Sequence, residues 1–161
     1  MKRTAALLSD ESAIIDLWRR LPSVRRLTFS ATAGPDSVTG WTGTGLADVV
    51  CEEAGDGLRF IETGRFTLVD TTHPLTFHNV FHWRAAPGRV ALAHERFGRD
   101  APVWLFDLIA AAPGELTAAE SHLCGNDRYD ARLRLVDDGF DLRWTISGPR
   151  KDETLAYRYR F

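Results

Sequence analysis

The chain has 161 residues with a formal net charge of −2, and 44% of its residues are hydrophobic against 26% charged. That length suits one domain with a single sizeable core, and the charge balance gives no global field that would favour nucleic acid or an anionic membrane surface. Cys51 and Cys124 are too few for a disulfide framework. The apolar run of the first eight residues stops at Ser9-Asp10-Glu11, short of a signal-peptide core, and no later stretch has the length to span a bilayer. The expectation is a cytoplasmic domain with two reduced thiols, a small-molecule partner, no nucleic-acid or membrane partner, and a homodimer left open.

Residues 10–20 carry the one helical signal. Ile14, Leu17, Trp18 and Leu21 recur at helical spacing, Ser9 or Asp10 offers a cap, and Pro22 supplies a stop. A single short amphipathic helix has to lie on something. Everything afterwards reads as strand, in alternating runs at about 24–32, 39–52, 58–69, 75–85, 89–97, 102–111, 116–124, 128–136, 140–148 and 154–161. Turn clusters such as Gly55-Asp56-Gly57, Pro87-Gly88, Pro113-Gly114 and Asp137-Asp138-Gly139 separate them. An open sheet of that many strands would leave two unprotected edges. The pattern therefore predicts an all-β fold: an antiparallel up-and-down barrel of about ten strands, with helix 10–20 covering one end and the barrel at about 23–161.

Side-chain parity sorts the strands into faces. Phe140, Leu142, Trp144 and Ile146 form one face of their run, and Asp141, Arg143 and Thr145 the other. The charged sets belong outside, so the apolar sets face in. Several polar residues share the inward parity: Glu62, His94, Arg96, Glu120, His122 and, if no bulge intervenes, Arg150 beyond Gly148-Pro149. Buried charges are costly unless paired, which leaves two readings. One is a self-satisfied network of Glu–Arg and Glu–His pairs. The other is a set of anchors around a cavity, since ligand pockets are apolar with a few convergent polar groups.

His94, His122 and Glu120 could serve as acid and base, but they lack the local spacing of a metal motif. A single inward histidine could instead ligate haem, so no cofactor is assigned. His73, His78 and His82 read as turn or outward strand residues, and Cys124 as a buried inert thiol. Gly40-Trp41-Thr42-Gly43-Thr44-Gly45 is glycine-rich without a following helix, which suits barrel curvature better than phosphate.

Four stretches carry a family resemblance: Leu58 to Gly64, Phe81-His82-Trp83-Arg84, His122-Leu123-Cys124-Gly125-Asn126-Asp127-Arg128-Tyr129, and Trp144 through Gly148-Pro149-Arg150-Lys151-Asp152. In these the chain resembles a family of uncharacterised bacterial and fungal proteins, domain of unknown function 6314, grouped with calycin-like (lipocalin-like) β-barrels. The resemblance implies a closed or nearly closed barrel. It also implies that Glu62, His122, Cys124, Asp127, Tyr129, Arg150, Lys151 and Asp152 occupy the family's motif positions, and it carries no established activity. The chain departs from the family pattern at Glu153, where a tyrosine is common, and at Pro22-Ser23-Val24, where such barrels often start Gly-x-Trp.

The expected function is binding of a small, partly apolar, anionic ligand inside the barrel. Arg96 and Arg150 would pair its acidic group and His94 and His122 would hydrogen-bond it. Trp83, Phe106, Trp144 and Tyr157 would supply apolar walls, with Glu62, Cys124 and Tyr129 completing the set and Lys151–Asp152 forming a rim pair. The alternatives are an acid–base enzyme (a lyase or isomerase type) on the same barrel, with His122 or Glu120 as base and Arg150 stabilising an anion, and a haem-binding or purely structural barrel.

Overall fold

The computed structural model describes residues 2–38 and 40–161, with side chains from residue 11 onward. One helix, α1 (Lys2–Arg20), passes through a 3₁₀ turn at Leu21–Ser23 into eleven strands: β1 (Arg26–Ala33), β2 (Gly43–Ala54), β3 (Gly57–Leu68), β4 (Leu75–Ala86), β5 (Arg89–His94), β6 (Val103–Ala112), β7 (Glu115–Ala118), β8 (His122–Cys124), β9 (Asp127–Val136), β10 (Gly139–Ser147) and β11 (Asp152–Arg160). The helix starts well before the expected cap at Ser9 or Asp10, and Thr39, the expected start of the second strand, lies outside the described residues. Pro22 ends the helix as expected, because its ring blocks the next α-helical turn. No described helix is long and apolar enough to cross a membrane.

Sequence neighbours pair antiparallel from β1 to β7, β11 pairs with β1, and the β9–β10 pairing closes the wall. β7 and β8 both lie along β9, so they share one position and the barrel has ten strands. Between them, residues 119–121 insert two extra residues relative to β9: Thr117 pairs with Arg132, but His122 pairs with Tyr129. A shift of two preserves parity. In β6 a single residue, Leu105, is skipped between Phe106↔Leu92 and Trp104↔Ala93, which does flip parity. Phe106 therefore faces the core while Trp104 stands on the surface, its indole donating to Asp107 Oδ1 at 3.0 Å.

The two ends of the barrel differ. At one end the connections are two-residue turns such as Pro87-Gly88 and Pro113-Gly114, with Gly88 at φ 72° and Gly114 at φ 70°, backbone angles that suit glycine. Helix α1 covers this end. Ala13, Leu17 and Leu21 are buried in the core, and Arg20 donates to the carbonyls of Val136 and Gly139 beside the β9–β10 turn. At the far end the connections are longer, 34–42, 69–74 and 95–102. The core between the ends is aromatic. Phe60, Trp83, Phe140 and Tyr159 pack towards the helix, with Phe140–Tyr159 ring centroids 4.8 Å apart. Small inward residues on β2 make room for large ones opposite: a Cβ on Gly45 would fall 2.1 Å from the Phe29 ring.

Candidate functional site

Glu62 sits on the inner face of β3, opposite Val49 of β2 and Asn79 of β4, and is 0% exposed. Tyr159 donates its hydroxyl to Glu62 Oε1 at 2.6 Å. Glu62 Oε2 has no partner, and among the described residues no cation pairs with the carboxyl. Burial without a cation pushes the Glu62 pKa up to about 8, against the opposing pull of the Tyr159 hydrogen bond. The same burial, reinforced by Glu62, raises the Tyr157 and Tyr159 phenols.

Above this carboxyl, towards the far end, a run of rings continues. Tyr159 stacks on Tyr157 at 6.1 Å, Tyr157 meets Trp144 at 5.5 Å, and Trp144 makes T-shaped contacts with Phe81 at 5.9 Å and Phe106 at 5.6 Å. His94, the last residue of β5, stacks on Phe81 at 4.7 Å. Burial lowers its pKa, with the Arg96 charge acting in the same direction. The Nε1 atoms of Trp144 and Trp83 are buried without a hydrogen-bond partner. These two indoles and Glu62 Oε2 are the buried, unsatisfied side-chain N and O atoms among the described residues, and in a folded interior such groups call for an explanation.

The rim holds the other motif residues. His122 is half-buried between the rings of Trp104 at 5.4 Å and Tyr129 at 5.9 Å. Lys151 pairs with Asp127 at 3.2 Å, and Asp127, with a smaller contribution from Tyr129, raises the lysine's pKa. Gly148 is what permits this: a Cβ there would lie 2.1 Å from Asp127 Oδ1. The corner Gly148–Lys151 thus ties β10 and β11 to the start of β9.

Several expectations are corrected. Arg150 is exposed, because Ser147 and Asp152 close the β10–β11 pairing and residues 148–151 form a turn, across which strand parity does not continue. Arg96 is exposed over the Phe97 ring, because β5 stops at His94 and the chain then turns outward. Glu120 is exposed in the break between β7 and β8. Cys124 is exposed, not buried, since it precedes the Gly125-Asn126 turn at the rim. Lys151 pairs with Asp127 rather than Asp152, whose carboxylate packs against Gly34. Among the described residues no Arg or His pairs with Glu62, so the expected interior Glu–Arg and Glu–His network does not form there. Trp83, Phe106, Trp144 and Tyr157 do line the interior, with Glu62 among them.

Sequence parity missed a second buried charge cluster, on the outer face of the wall. Arg59 and His82 are direct cross-strand neighbours on β3 and β4. Glu95, carried over them as its N–H donates to the Val80 carbonyl, bonds Arg59 at 2.9 Å and His82 at 2.6 Å. The outward parity of Arg59 and His82 was readable; the return of Glu95 across them was not. Two clefts, of about 1280 and 630 Å³, also lie on the outside of the barrel, and the arginines lining them, Arg26, Arg65, Arg132, Arg134, Arg143 and Arg158, are exposed. Among the described residues no group of three or more His, Cys, Asp or Glu side chains is arranged to hold a metal ion.

No curated protein and no solved structure matches the chain. A family model does: it matches residues 14–161, from the helix to the last residue, and the chain belongs to the family of unknown function DUF6314.

Proposed function

We propose that this protein binds a small, largely apolar molecule inside the far half of the barrel, in the manner of calycin-type carriers. The observation that carries the reading is Trp144. It lies on the inner face of β10 among Phe81, Phe106 and Tyr157, and its buried indole N–H has no partner. Half-buried side chains, His94, Phe77 and Tyr129, stand towards the end that the helix leaves uncovered. Apolar walls with a few inward polar groups are the usual composition of a small-molecule site. With Arg96 and Arg150 on the surface, the support for an anionic ligand falls away. The acid–base enzyme reading loses its proposed anion stabiliser with Arg150 and one of its two candidate bases with the exposed Glu120.

Native mass spectrometry of the protein as purified, paired with titration of its tryptophan fluorescence by aromatic probes, tests the reading. The expected result is a non-covalent adduct of a few hundred daltons released on denaturation, or saturable quenching that Trp144→Ala weakens about tenfold. Neither adduct nor saturable quenching would leave a purely structural barrel. A Soret band in the visible spectrum would move the reading to haem.

A further inference from the structure

The unsatisfied groups of the interior have a common chemistry. Glu62 is inaccessible and has no cation paired with it among the described residues, and an ionised carboxylate in that position would be very costly, so the group is neutral. Tyr159 donates to Oε1, which puts the carboxyl proton on Oε2. Glu62 Oε2 is therefore a donor, as are the indole N–H groups of Trp144 and Trp83. All three unsatisfied atoms donate, and among the described residues no guanidinium or ammonium pairs with Glu62. Glu62 and Trp144 are linked through two rings. Trp144 contacts Tyr157 at 5.5 Å, Tyr157 stacks on Tyr159 at 6.1 Å, and Tyr159 holds Glu62 at 2.6 Å.

Building on the reading of the barrel as a small-molecule site, we infer that its ligand is a neutral molecule whose polar atoms are hydrogen-bond acceptors, a ketone, lactone or quinone type of group, received by Trp144 and Glu62. A carbonyl oxygen has two lone pairs and no hydrogen, so it accepts from such a donor without bringing one of its own. An alcohol or amine would add a donor to a site already short of acceptors. A carboxylate would bring a buried charge with no partner.

The test uses three matched probes: 2-acetylnaphthalene, 2-ethylnaphthalene and 2-naphthoate, each titrated by tryptophan fluorescence into the wild-type chain, Trp144→Phe and Glu62→Leu. The ketone is expected to bind about tenfold more tightly than the hydrocarbon, and the naphthoate more weakly than the ketone. Each variant should lose most of the ketone's advantage over the hydrocarbon. Trp144→Phe, which keeps an aromatic ring and loses the N–H, carries the test alone if Glu62→Leu does not fold. Equal binding of ketone and hydrocarbon, preference for the naphthoate, or a ketone preference untouched by Trp144→Phe overturns this inference and leaves the barrel as a small-molecule site. Binding of none of the three, with no co-purified adduct, overturns the underlying reading as well.

Discussion

Glu62 and Glu95 lie on opposite faces of one wall, and neither is open to solvent. Glu62 is 0% exposed inside the barrel, and the Glu95 side chain is 5% exposed outside it, laid across β3 and β4. Their chemistry is opposite. The Arg59 guanidinium, which donates to Glu95 from both Nε and Nη2, and the His82 ring hold Glu95 down to about 2, while Glu62, with a tyrosine as its hydrogen-bond partner, is pushed up to about 8. Burial alone does not set a carboxyl's charge; the partner does. The outer cluster is a satisfied structural clasp that pins the 95–102 segment to the wall. The inner group is left incomplete, with Glu62 Oε2 buried and unsatisfied.

The largest expected effect breaks the clasp. Arg59→Met leaves Glu95 without its main partner and should cost about 3 kcal/mol, read as a lower urea midpoint at neutral pH with an unchanged slope. A loss near zero would mean that water, not Arg59, satisfies Glu95. Next is Glu62→Gln. The folded pKa of Glu62 lies above its ordinary 4.5, so the native state holds the extra proton between about 4.5 and about 8, and wild-type stability falls as pH rises through that window. The substitution removes this slope, so the variant should gain about 3 kcal/mol over wild type between pH 5 and pH 8. Parallel stability profiles for the two chains would contradict the inner half of the comparison.

Glu95 runs the other way. Its folded pKa is depressed to about 2 from an ordinary 4.5, so its contribution is present above about 4.5 and is lost as pH falls towards 2. Acid should remove about 2 kcal/mol from the wild type that Glu95→Gln no longer has to lose, seen as a flatter acid limb in denaturant melts. The smallest effect is Tyr159→Phe, which removes one buried hydrogen bond at about 1 kcal/mol and should raise the Glu62 titration further, because that bond is what opposes the burial.

Alternation and turn residues made the barrel legible, because a two-residue period and turns such as Pro87-Gly88 are local properties of the chain. Glu62, Trp83 and Trp144 were placed inside by the same parity. What parity could not show is where a strand stops. It carried Arg96 past the end of β5 and Arg150 through the turn that joins β10 to β11, and both lie on the surface. It also could not show partners joined by closure of the barrel. Tyr159 reaches Glu62 from a residue 97 positions away, and Glu95 meets Arg59 across 36. The unsatisfied donors of Trp144 and Glu62 belong to the packed interior and have no signature in the sequence.

The donor-lined interior stands on a neutral Glu62 carboxyl ready to donate. A carbon-13 NMR titration of the glutamate side-chain carboxyls, with Glu62→Gln identifying the Glu62 signal, measures it directly. The expected midpoint for Glu62 lies near 8. A midpoint at or below the ordinary 4.5 would mean that Glu62 is ionised in the folded protein, and the donor-lined interior would be contradicted.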